Sequence, residues 1–217
     1  MRISHYFVSL VLALSHAYAF ADVTIMVQDQ QGNPLSDAVI EVISDTPQVG
    51  SNKSIAIMDQ IDKTFVPELL IVNQGQLVDF PNSDNIRHHV YSFSSAKQFE
   101  LKLYADRPEN PVAFEQAGVV VLGCNIHDSM VGYIYVAKDR RIVKTNETGI
   151  ASLPVISEDT QFTVWHADQS LTLEKRATFS TNTLTTLPGT DHYLVTIETS
   201  PPAPRDTFED TFRATFD

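Results

Sequence analysis

Three side chains able to bind a metal fall in one short stretch, Gly123-Cys124-Asn125-Ile126-His127-Asp128-Ser129-Met130. Cys124 is the only cysteine in the chain, His127 follows three residues later, and Met130 three after that. A thiolate, an imidazole and a thioether together narrow the choice of ion. Zinc seldom takes a thioether, and calcium and magnesium prefer oxygen. Copper accepts all three, and two histidines, one cysteine and a weak axial methionine make up a blue-copper electron-transfer site. Such a site needs a second histidine, and His88-His89 upstream offers two candidates. Consecutive strand residues point to opposite faces, so only one of the two can face a given site.

Those donors have to be held rigidly, so that a change of oxidation state does not move them. The flanking sequence is suited to this. Ala117 to Cys124 (AGVVVLGC) is a near-continuous apolar run that reads as a buried strand delivering Cys124 at its end, and Val131 to Val136 (VGYIYV) reads as the strand that leaves the loop. Upstream, Phe80-Pro81 ends a short strand and Asn82 to Asn85 is a polar corner. His88 to Phe93 then resumes a strand, and Phe99, Leu101 and Leu103 alternate in the next. Earlier still, Val23, Ile25 and Val27 alternate, Gly32-Asn33-Pro34 makes a turn, and Val39 to Val42 is another strand. Helix-period signal is scarce, so the chain is expected to be all-β.

The start of the chain reads as an export signal. Arg2 precedes an apolar core from Tyr6 to Ser15 that is too short to span a bilayer, and small-x-small sites put cleavage after Ala21, with Ala19 as the alternative. The expected location is therefore the periplasm, with no membrane span in the mature chain. An unpaired cysteine in an exported protein points to a metal ligand, a reactive thiol or an intermolecular bridge. The formal charge is −12, which disfavours nucleic acid and anionic membranes as partners and suits solubility or a basic protein partner.

The two ligand segments and their surroundings (FPNSDNIRHHVYSFS, FELKLY and GVVVLGCNIHDSMVGYIYV) resemble the cupredoxins, the small blue-copper β-sandwiches that include plastocyanin, pseudoazurin and amicyanin. The Cys-x-x-His-x-x-Met spacing is similar to that of amicyanin. The wording is closest to exported cupredoxin-like proteins labelled methylamine utilization protein. The resemblance covers roughly residues 22–137. It implies a Greek-key sandwich with one type 1 Cu(I)/Cu(II) ion and the ligands His88, Cys124, His127 and Met130. His88 follows from matching Arg87-His88-His89-Val90 to the family's Pro-His-Asn-Val tetrad, which puts His89 where the family has asparagine. The alternative register makes His89 the ligand. The resemblance also implies His127 as the port through which electrons leave, with redox proteins as partners.

Residues 138–199 hold several short strand patterns and resemble the small transthyretin-like or carboxypeptidase-regulatory-like β-sandwiches. The opening segment, 22–45, either belongs to the copper-binding sandwich or pairs with this later module around it. His166, His192 and Trp165 are expected to be ordinary β residues, with Trp165 in packing. Residues 200–217 form a proline-rich linker and tail, where Phe208, Phe212 and Phe216 would line one side of a short helix, although the tail in isolation is expected to be disordered. The function this predicts is single-electron transport, the alternative being copper delivery or sensing, since Cys and Met also suit Cu(I). An enzyme is not expected: copper oxidases and nitrite reductases need further histidine clusters, and two of the chain's seven histidines lie in the leader.

Overall fold

The computed structural model describes residues 22–48, 54–154, 157 and 159–200. The segment expected to be an export signal and the phenylalanine-spaced tail lie outside the described residues. The chain is all-β, its only helical element among those residues being the single 3-10 turn Thr181–Thr183. Among them, too, no helix is long and apolar enough to cross a membrane.

The middle of the chain, from Ala56 to Ala137, builds two facing sheets. The larger has five strands in the order Leu69–Asn73, His127–Ala137, Gly118–Cys124, His88–Ser94 and Lys97–Tyr104. The smaller has three, in the order Val112–Phe114, Gln76–Asp79 and Ala56–Ile57. A hairpin of Asp59–Ile61 and Thr64–Val66 closes one end. Between the sheets lies a core drawing Val72, Val90, Val120, Leu122, Ile134 and Val136 from the larger and Val78 and Phe114 from the smaller. This is the interdigitated core of a β-sandwich.

The apolar run before Cys124 has a simple cause. Val120, Leu122 and Cys124 face that inner core, whereas Val119 and Val121 face outward into a second cluster with Val39, Tyr133, Tyr135, Ala137 and Trp165. A strand covered on both faces has no solvent side to require polar residues, so the period-2 pattern is replaced by continuous valine and leucine. Trp165 belongs to this covering layer, edge-on to Tyr133 and Tyr135, with its indole N–H donating to the Leu173 carbonyl at 2.7 Å.

The covering layer comes from both ends of the chain. Val23–Gln28 sits between Ile150–Leu153 and Tyr193–Thr196, antiparallel to the first and parallel to the second. Val39–Val42 sits between Ile142–Lys144 and Gln161–Trp165. Both strands of the opening segment thus pair into sheets made otherwise of strands after residue 141. Those two sheets enclose their own core, with Ile25, Val27, Leu153 and Val195 against Ile40, Val42, Phe162 and Val164.

Candidate metal centre

Strand geometry alone brings three of the four candidate ligands to one end of the sandwich. Cys124 ends its strand on the inner face, and a two-residue turn, Asn125-Ile126, leads to His127, its cross-strand partner. Residues directly opposite in an antiparallel pair present side chains to the same face. The register then shifts, since Gly123 pairs with Val131 while Cys124 pairs with His127. The extra residues of this bulge, Asp128 to Met130, allow Met130 to turn inward, where it is 1% exposed in the same core cluster as Cys124.

The second histidine comes from the neighbouring strand. Val90 pairs with Cys124, which places the start of His88–Ser94 beside the sulfur. His88 is fully buried on the inner side. His89 points the other way, its Nε2 donating to Glu100 Oε1 at 2.9 Å, with its ring tilted against that of Tyr91. The pair that the sequence leaves open is thus separated by alternation: His88 approaches Cys124 and His89 does not.

The ligand atoms of His88, Cys124 and His127 lie within 4.8 Å of one another. His88 Nδ1 is 3.8 Å and His127 Nδ1 3.6 Å from Cys124 Sγ. A thiolate bound at about 2.3 Å and an imidazole at about 2.0 Å, roughly 120° apart in a trigonal plane, would sit about 3.7 Å from each other. The donor set and its spacing therefore fit a copper ion.

The protonation pattern agrees. Nε2 of His88 is 2.6 Å from Asp84 Oδ2. An ionised carboxylate can only accept, so Nε2 carries a hydrogen, and Nδ1, the nitrogen turned to the sulfur, is the one left to offer a lone pair to a metal. Burial works against the Asp84 charge, but the Lys63 N–H, the His88 ring and the Asp62 N–H together hold its carboxyl below the usual range. The corner before His88 is fixed from beneath. Buried Gln60 donates to the Pro81 carbonyl at 2.9 Å and to the Tyr104 hydroxyl, which in turn donates to the Phe80 carbonyl at 2.8 Å. Burial pushes the Tyr104 phenol well above its ordinary range, so it stays a neutral donor.

The far end of the Tyr91 ring lies against Gly123. A Cβ at position 123 would stand 2.8 Å from Tyr91 Cζ, which is why the residue before the cysteine is glycine. Asp84, Gln60, Tyr91 and Tyr104 support the site without being singled out by the sequence. Their roles depend on which turns and strands meet, and only the acid at position 84, four before His88 across a corner, leaves a trace in the linear pattern. His166, by contrast, bonds the Ser36 carbonyl and His192 lies beside Asp191, both outside the cluster.

No family model matches the chain, and no curated protein does. Among solved structures, it is similar to a reduced amicyanin variant at 20% identity and a TM-score of 0.33, over 45% of this chain and 97% of that one. An amicyanin from Paracoccus versutus matches at 16% identity and a TM-score of 0.33, over 45% and 96%. A Cu-containing nitrite reductase from Thermus scotoductus SA-01 matches at 21% identity and a TM-score of 0.37, over 43% of this chain and a quarter, 25%, of that one. The centre this chain builds has a buried sulfur, two imidazole nitrogens and a buried methionine, met in the order His, Cys, His, Met on the strands of a β-sandwich.

Proposed function

We propose that this is an exported blue-copper protein that carries single electrons between redox partners. When bound, copper supplies a one-electron couple between Cu(I) and Cu(II). Cys124 would hold it as thiolate, His88 and His127 through Nδ1, and Met130 through its thioether sulfur. The strands on either side keep these groups in place through both oxidation states, which keeps reorganisation small. Half-buried His127 is the ligand closest to solvent, beside exposed Ile126, and gives electrons a way out. No substrate or proton transfer is required, so the role is that of a carrier rather than an enzyme. The strand pairing further supports a division in which 22–45 and 138–199 form an outer β module around the copper-binding sandwich.

The observation that carries this reading is the convergence of both Nδ1 atoms on one buried cysteine sulfur. Reconstitution of the mature protein with Cu(II), followed by visible and EPR spectroscopy, tests it. The expected result is an intense thiolate-to-copper charge-transfer band that Cys124→Ser abolishes while the far-UV circular dichroism is kept. A protein that takes up Cu(I) alone, with no such band and no reversible potential, is a copper-delivery protein and not a carrier.

A further inference from the structure

The corner between Phe80 and His88 holds a carboxylate in an unusual position. Asp84 lies one hydrogen bond behind His88 and is almost buried, its side chain 10% exposed. It is also tied on its far side. The hairpin of Asp59–Ile61 and Thr64–Val66 turns through Asp62 and Lys63, at φ 52° and 60°. Neither is glycine, the residue that takes left-handed backbone most readily. That conformation aims two consecutive backbone N–H groups at one carboxylate. Asp62 N–H donates to Asp84 Oδ1 at 2.6 Å and Lys63 N–H to Oδ2 at 3.0 Å. Two successive amides arranged in this way make a small anion-binding concavity. The hairpin and the corner are further joined by Ser83, whose hydroxyl donates to Asp59 Oδ2 at 2.8 Å and whose N–H donates to the Gln60 carbonyl at 3.0 Å. Asp84 is thus clamped between a fixed turn and one ring nitrogen, and it brings a full negative charge where a neutral acceptor would satisfy the same N–H.

Resting on the copper reading above, we propose that Asp84 is the positioning residue that sets how His88 holds the metal. It fixes the ring in the Nε2–H form, which presents the Nδ1 lone pair. Its charge makes that nitrogen a stronger donor and favours the doubly charged ion over the singly charged one. The effect is a lower reduction potential than a neutral acceptor at this position would give. A hydrogen-bond partner behind a metal-binding histidine is typically worth about 10–100-fold in metal affinity.

Two variants of the full-length protein separate the parts of the proposal. Asp84→Asn is nearly isosteric and keeps an acceptor for the ring while removing the charge. Asp84→Ala removes both. In the copper-free protein, nitrogen NMR of the histidines should show His88 as Nε2–H in the wild type and in Asp84→Asn, and as a mixture of tautomers in Asp84→Ala. With copper, Asp84→Asn should lose about tenfold in affinity for Cu(II) relative to Cu(I), a rise of about 59 mV in the one-electron potential. A purely structural role would lower the melting temperature and change both affinities equally. A Cu(II) to Cu(I) affinity ratio within twofold of the wild type in both variants therefore overturns the proposal, as does an unchanged His88 tautomer in Asp84→Ala. A wild type without a blue band defeats the copper reading separately, and the copper-free tautomer measurement then still decides the role of Asp84.

Discussion

The strand His127–Ala137 carries the metal cluster at its beginning and a buried carboxylate network near its end, and the two are built in opposite ways. At the end, Glu41 is 4% exposed and each of its oxygens has two donors. Oε1 accepts the N–H groups of Lys138 at 2.6 Å and Asp139 at 2.8 Å. Oε2 accepts the Tyr135 hydroxyl at 2.8 Å and Arg176 at 3.1 Å, and Arg176 also reaches the Tyr135 oxygen. Every group there has a partner of the opposite kind, so the network closes on itself. At the beginning, by contrast, one buried sulfur faces two ring nitrogens over long, soft contacts, 3.8 Å to His88 Nδ1 and 3.6 Å to His127 Nδ1. All three are donor atoms that a single cation could bridge, whereas the carboxylate network is already saturated by strong hydrogen bonds.

If that contrast is right, the two ends respond to different perturbations. The largest effect belongs to Glu41→Ala. It would leave a partly buried arginine, a buried phenol and two backbone amides without their acceptor, and breaking a buried pair in this way costs about 3–5 kcal/mol. Chemical denaturation of the copper-free protein should show the loss, while the copper spectrum of the molecules that stay folded should not change. A shifted spectrum would mean that the strand couples its two ends, and the contrast would fail.

A smaller effect, and one of defined sign, comes from alkaline pH. Burial, reinforced by the charge of Glu41 and opposed by Arg176, pushes the Tyr135 phenol up to about 12. A tyrosine in the unfolded chain ionises near pH 10. Between those values the unfolded state has given up a proton that the native state retains, so stability is fully present below about pH 10 and falls as pH rises toward 12. Tyr104 at the metal end is raised as well, also chiefly by burial. Thermal melts of Tyr135→Phe and Tyr104→Phe as a function of pH should each remove part of the alkaline decline. Tyr135→Phe should also cost about 1 kcal/mol at neutral pH, the ordinary worth of one hydrogen bond. An alkaline limb unchanged from the wild type in both variants would show that neither phenol drives it.

Much of the site is legible in the sequence because it is local. Cys124, His127 and Met130 share one turn and its bulge, and the strand before them announces its double burial by an unbroken apolar run. What is long-range is not legible. Glu41 sits in a strand where its neighbours suggest only alternation, and its partners Tyr135 and Arg176 are far along the chain. The pairing of Val23–Gln28 and Val39–Val42 with strands after residue 141 is compatible with the sequence but not required by it. Asp84 reads as one more polar residue in a corner, because its role depends on a hairpin some twenty residues earlier arriving with two amides exposed.

The smallest expected effect tests the choice of His88 over His89. His89→Gln should leave the copper spectrum and potential as they are and change stability by less than about 0.5 kcal/mol. Its ion-pair partner, Glu100, is half exposed, with a side-chain accessibility of 56%, and such pairs contribute little. His88→Gln, one residue away, should abolish the band. The two variants differ by a single step along a strand, so their unequal outcomes would be a direct reading of side-chain alternation at the site. If His89→Gln were the one to lose the colour, the strand would have to be shifted by one residue. That shift would also turn Val90 out of the inner core and bring Tyr91 off Gly123, and the packing of both residues argues against it.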